Sequence, residues 1–350
     1  MLSRFWSLSL FAISLASRQH EHAEHEIMNM QLLQHKLILE GEEGSLKEAQ
    51  PLHWVHFPKT GSSFINAITH LKGACPSLVK HAINEDTVGG GACWLSRWFT
   101  ERCPQECHAD HYICQRSSSP HLPITSYSAQ RGHLVGMFRN PDQRILSAYH
   151  DEANNFAAED YGSFLIDTLH NEVTKNGGNC TGSLVSGLPK IPLLDFAKTW
   201  KGGVTYQLTA DNQSMSAVHP RRPQVTQRDA TEAARRVHDG FAFVGITEEW
   251  NLSICLFHKM FGGACHAEEF EDTRPGFAGK SADQDYDISQ FQGWHDDIDE
   301  VVYAAALDVF RRNLIMFDVS QETCQECYRA ATVTHGETSP LGHARAETVQ

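Results

Sequence analysis

The segment Leu52-His53-Trp54-Val55-His56-Phe57 runs into Pro58-Lys59-Thr60-Gly61-Ser62-Ser63, after which Phe64, Ile65, Ile68 and Leu71 recur at helical spacing. A short strand-like run, a glycine turn and an amphipathic helix are thereby joined within twenty residues. Each part suits an anionic oxygen. Gly61 allows the backbone to approach closely. The helix start presents unpaired N–H groups and a partial positive charge. Lys59 adds a full charge, and Thr60, Ser62 and Ser63 add hydroxyl donors. Such turns bind phosphate, although the pattern G-x-x-x-x-G-K-[ST] is absent. The same residues also suit an ordinary strand followed by a serine-capped helix.

The alternation repeats downstream. Residues 132–138 read as a strand and 144–152 as the helix after it. Residues 241–245 read as a buried strand, 251–261 as a helix, and 298–317 as a long final helix. Strands alternating with helices predict an α/β domain with a mainly parallel central sheet. Residues 75–123 and 176–192 have no clear period and read as insertions. The first is rich in Cys, Gly and His and is expected to be braced by disulfides. No internal repeat is visible.

A second turn matches the first in kind. Phe138-Arg139-Asn140-Pro141-Asp142-Gln143-Arg144-Ile145-Leu146-Ser147-Ala148-Tyr149 places an arginine at a strand end and a proline in a first helical turn. Pro58–Ser63 resembles the 5′-phosphosulfate loop of the PAPS-dependent sulfotransferases. The second segment resembles their 3′-phosphate motif, R-x-P-x-x-R-x-x-S-x-Y. Phe243-Val244-Gly245-Ile246-Thr247-Glu248 is similar to a strand end in the carbohydrate branch, the Golgi enzymes of heparan-sulfate 2-O- and chondroitin type. The final helix, with Tyr303 and Phe310, suits that branch as well. The resemblance covers about a quarter of the chain and fades in the insertions.

It implies a P-loop-NTPase-like three-layer fold and transfer of a sulfuryl group from PAPS to a hydroxyl of a glycan. Lys59, Thr60, Gly61, Ser62 and Ser63 would hold the phosphosulfate; Arg139 and Ser147 would hold the 3′-phosphate. Lys59 would also stabilise the leaving phosphate. The chemistry calls for no metal. Arg144 and Tyr149 fit the motif, with helix packing as their expected role. In related enzymes a His or Glu between the two motifs takes the acceptor proton. That points to His111, then His108; Glu248, at a strand end, is a further candidate. The loop 274–280, basic and glycine-containing, is a candidate cover for the nucleotide.

Two other classes stay open. A kinase on a similar fold would need a Walker-type lysine and Mg²⁺ ligands, which the sequence does not display. A secreted binding protein could keep the fold without turnover. The net charge of −14 argues against nucleic-acid binding. Arg221-Arg222, Arg235-Arg236 and Arg311-Arg312 are read as solvated faces rather than a basic patch for a polyanion.

Compartment is read from three features. Arg4, the apolar run 5–16 and the small residues after it form a signal peptide over 1–17, or a short anchor. The ten cysteines form an even set, and sequons begin at Asn179, Asn212 and Asn251. Together these point to the secretory pathway, with the Golgi lumen first and secretion as the alternative. Residues 18–50 read as a polar His-rich stem, 51–329 as the catalytic domain and 330–350 as a polar tail. Cys103, Cys107, His108, His111 and Cys114 are spaced acceptably for zinc, but the compartment favours disulfides.

Overall fold

The computed structural model describes residues 42–78, 81–89, 94–114, 121–151, 191–273 and 286–333. The chain divides into two units, 1–48 and 49–350. In the lead-in, where the sequence reads as a stem, a helix covers Glu42–Ala49.

Among the described residues the sheet has three parallel strands in the order β1 (His53–Trp54), β2 (Leu134–Phe138), β3 (Phe241–Ile246). All of β2 is buried. A central parallel strand covered on both faces needs an unbroken apolar run, and Leu-Val-Gly-Met-Phe supplies one. Leu134 pairs with both His53 and Phe241, so β2 aligns the other two. Regular pairing of β1 is shorter than its strand-like run. Leu52 instead bridges to Tyr112, and Val55 extends the ladder with one bond to the Val135 carbonyl.

A helix follows each strand. A 3₁₀ turn, Ser62–Phe64, leads into α1 (Ile65–His70). Helix α2 (Pro141–His150) begins where Asn140 accepts bonds from the Asp142 and Gln143 amides, with proline in its first turn. Helices α3 (Leu193–Trp200), α4 (Gly203–Thr209) and α5 (Gln227–Gly240) precede β3. Helix α6 (Trp250–Phe261) follows it; then come α7 (Asp299–Met316) and α8 (Gln325–Val333). This is a mixed helix and strand domain with a small parallel sheet.

One core cluster joins α2 to α3 through Ile145, Leu146, Phe196 and Trp200. Under the sheet, the Phe64 ring stacks on Phe243 at 5.4 Å and meets Phe257 edge-on at 5.1 Å. The helix carrying the first turn is thereby packed on β3 and α6.

Cystine crosslinks brace the first insertion and the region from α6 to α8. Cys75 joins Cys107 and Cys103 joins Cys114 in the first insertion. Cys255 joins Cys324 and Cys265 joins Cys327, which fastens α8 to α6 and to the segment beyond it. The zinc alternative for Cys103, Cys107 and Cys114 is therefore closed by oxidation. Cys324 and Cys327 take separate partners rather than each other. Several disulfides are compatible with an extracytoplasmic location. Among the described residues no helix is long and apolar enough to cross a membrane.

Candidate functional site

The three strand ends converge. At the end of β1 the chain reverses through Lys59 (φ 66°) and Gly61 (φ 93°). The Thr60 hydroxyl donates to the Phe57 carbonyl at 2.9 Å, which closes the turn. Glycine is required at 61 on two counts. Its φ is left-handed, and a Cβ there would stand 2.5 Å from the Trp250 ring. Helix α1 itself is short, so its dipole contributes little. The charge in this turn is that of Lys59.

At the end of β2, Arg139 donates to the Lys59 carbonyl at 3.3 Å, across 80 residues of chain. Its guanidinium lies 5.9 Å from the centre of the Tyr286 ring, which stacks on His150 at 5.2 Å. At the end of β3, the Thr247 hydroxyl donates to the Thr60 carbonyl at 2.9 Å. Next to it, the Glu248 carboxylate accepts from the Asn140 amide at 2.8 Å and from the Tyr303 hydroxyl at 3.4 Å. Desolvation raises the Glu248 carboxyl above its usual range, while the Asn140 amide and the Arg139 charge oppose the rise. Glu248 as a residue is exposed, so this shift carries little energy. Its hydroxyl partner, Tyr303, is pushed well above the usual phenol range, by burial first and by Glu248 second.

Helix α2 adds one residue and its C-cap another. Ser147 is buried, and Asp151, one turn later, accepts from Lys59 Nζ at 2.7 Å. The Lys59–Asp151 pair is largely shielded from water, with side-chain exposures of 15% and 4%. Positive Lys59 and Arg139 thus face negative Asp151 and Glu248.

The sequence-derived donor residues Lys59, Thr60, Gly61, Ser62, Ser63 and Arg139 share this one place, with Ser147 on the adjoining helix face. His111 and His108 do not. The His111 carbonyl accepts from Leu52 N at 2.9 Å, and His108 N donates to the Ala74 carbonyl at 2.8 Å. Both therefore stand where β1 begins and α1 has ended. The turn lies beyond the far end of β1, about 15–20 Å of extended chain away. The disulfide-braced insertion folds back along the N-terminal edge of the sheet, so a position between the two motifs in sequence is not a position between them in space. His111 and His108 therefore stand apart from the turn.

Asp151 is a residue of this candidate site that the sequence does not signal. It follows α2 as an unremarked acid, and only the fold brings it to Lys59. Arg144 has the packing role expected of it. It is fully buried and donates to Asp299 Oδ2 at 2.8 Å. Tyr149 likewise packs, with its hydroxyl bonded to the Ile191 carbonyl. Arg222, Arg235 and Arg236 are engaged by the chain itself. Arg222 is buried and donates to the Ala217 carbonyl, which corrects the solvated reading at that position. Arg235 and Arg236 are engaged by Glu232. The 274–280 loop and the sequon at Asn179 lie outside the described residues. Comparison with family models, curated proteins and solved structures finds no match.

Proposed function

We propose that the chain is a PAPS-dependent sulfotransferase of the P-loop-like α/β type that sulfates a carbohydrate hydroxyl in the Golgi lumen or a related secretory compartment. The observation that carries this reading is the meeting of Lys59 and Arg139 at one strand-end edge, each on the turn whose residues resemble a donor motif. The turn 59–63 takes the phosphosulfate. Arg139 and Ser147 take the 3′-phosphate, the arginine through its planar fork.

The acceptor oxygen attacks sulfur in line. The new O–S bond forms as the bond from sulfur to the phosphate oxygen breaks, and the nucleotide leaves as adenosine 3′,5′-bisphosphate. Little covalent work falls to the protein, which positions the two oxygens and stabilises the departing charge. Lys59 supplies that stabilisation and exchanges its Asp151 partner for the donor. Glu248 accepts the acceptor's proton. Its carboxylate stands at the end of β3, beside the Asn140 amide of the second turn.

The test is a transfer assay with radiolabelled PAPS over a panel of glycans, tyrosyl peptides and small alcohols. Label is expected on a glycan, and its loss is expected in Lys59→Ala and Arg139→Ala that retain the wild-type circular dichroism. Thermal-shift titration provides the contrast with a kinase. Stabilisation by adenosine 3′,5′-bisphosphate supports the proposal; stabilisation only by ATP with Mg²⁺ refutes it.

A further inference from the structure

Behind the candidate site lies a buried cluster that the transfer chemistry does not use. Glu269, fully buried, is held between two imidazoles. His70 Nδ1 lies 3.1 Å from one carboxylate oxygen and His258 Nε2 lies 2.7 Å from the other. His70 closes α1, the helix that starts at the phosphate turn. His258 lies on α6, the helix after β3. The three side chains therefore tie together the helices that follow two of the converging strand ends. Atoms of His258, Cys265 and Glu269 lie within 4.8 Å of one another, a spacing that suits a metal. Cys265, however, is consumed by its disulfide with Cys327, and both Glu269 oxygens already face imidazoles.

The segment carrying Glu269 reaches the turn by two routes. The Glu269 carbonyl accepts from Trp250 Nε1 at 3.0 Å, and the ring of Trp250 is the one that leaves no room for a Cβ on Gly61. Four residues on, the Thr273 amide and hydroxyl both meet Ser63 Oγ, at 3.1 and 3.0 Å.

Proton counting sets the cluster apart from an ordinary strut. Besides Glu269, His70 Nε2 faces the His81 carbonyl and His258 Nδ1 faces the Gly262 carbonyl, each at 3.4 Å. All four facing oxygens are acceptors. A neutral imidazole has one N–H, so in a neutral ring one nitrogen turns a lone pair toward an acceptor; an imidazolium satisfies both contacts. We propose that Glu269, with His70 and His258, is a positioning residue for the phosphate turn, and that proton uptake by this cluster tightens the turn.

Burial alone would raise the Glu269 carboxyl, but His258 and His70 prevail and hold it below its usual range. His266, whose ring lies 5.0 Å from that of His70, is lowered by burial first and then by the neighbouring imidazoles, so it does not compete for the proton. Glu268 is the other acid on the turn. Lys72 beyond α1, His81 in the loop after it, Lys259 on α6, Asp272 before Thr273, and Glu326 and Arg329 on α8 are all exposed, and Glu271 is half-buried. Tyr328 on α8, pushed up to about 12 by burial, is neutral.

This inference rests on the turn being the anion site, but its test needs no nucleotide. The full chain, isotope-labelled, is followed by NMR from pH 8.5 to 5. The His70 and His258 ring signals are expected to share one midpoint with the Gly61, Ser62 and Ser63 amides and the Trp250 indole. Exchange protection of the Phe64 and Ile65 amides is expected to rise several-fold from pH 8 to pH 6. In His258→Gln the shared transition disappears. Turn signals that stay flat while the imidazoles titrate would overturn the proposal, as would a transition that survives in His258→Gln. If that variant does not fold, coincidence of midpoints in the wild-type chain decides the question alone. Failure of adenosine 3′,5′-bisphosphate to bind at either pH would refute the donor-site reading and leave this result standing.

Discussion

Arg139 and Arg144 belong to one short segment, yet the fold uses them in opposite ways. Arg139 is half-buried at the rim, where it donates to the Lys59 carbonyl and lies over the face of Tyr286. Arg144 is sealed in the core beside Asp299 at 2.8 Å and Asp296 at 3.7 Å, with the Trp200 ring 5.8 Å away. Its partner Asp299 also receives the Val204 and Thr205 amides and so starts α4. One arginine is left partly accessible to an incoming anion. The other is shut away from solvent against two acids of the chain. A motif that pairs the two conveys a site and its foundation together.

The largest expected effect comes from breaking the foundation. Arg144→Ala leaves two acids buried without their cation and should cost about 3–5 kcal/mol in urea unfolding. Arg139→Ala should stay within about 1 kcal/mol of wild type, as removal of a partly exposed group does. Equal costs would end the distinction. Second, Arg139→Ala should weaken binding of adenosine 3′,5′-bisphosphate by about 10- to 100-fold in calorimetry, the scale of a lost hydrogen bond to a charged group. Third, Asp151→Asn removes the internal competitor for Lys59. Nucleotide affinity should rise severalfold, with the gain shrinking in high salt.

A further effect concerns pH. Asp296 is raised to about 7, by burial first and by Asp299 second. Its folded value lies above its unfolded one, so the folded chain binds the extra proton between about pH 4 and 7, and stability falls as pH rises through that window. Asp296→Asn should flatten the decline in a series of thermal melts. A slope equal to wild type would remove Asp296 as its source.

Those parts of the molecule that depend on contiguous residues were legible in the sequence. Both strand–turn–helix units are legible, because strand end, turn and helix start lie within a dozen residues of one another. The β3 strand and α6 and α7 were found for the same reason. Helix α5 went unread although Thr226 and Asp229 form a capping box at its start. Its buried face is Ala230, Ala233, Val237 and Gly240, too small in side-chain area to give an apolar rhythm. Long-range pairings were illegible in principle. Nothing near Asp151 signals that it will meet Lys59 across 92 residues, and nothing in the cysteine spacing selects Cys255 for Cys324. The edge of the sheet on which His108 and His111 stand is also a property of the folded path.

The crosslinks have a consequence in time. Cys103 and Cys114 are separated by 11 residues and Cys75 and Cys107 by 32, so both pairs can close soon after they are made. Cys255 and Cys265 wait for partners 69 and 62 residues later. At a synthesis rate of about 5–20 residues per second, each is an unpaired thiol for about 3–14 s in every molecule made. During that interval α6, which carries His258, has no anchor in α8. The maturing chain therefore passes through a stage whose correct outcome depends on keeping two early thiols apart until the last helix arrives.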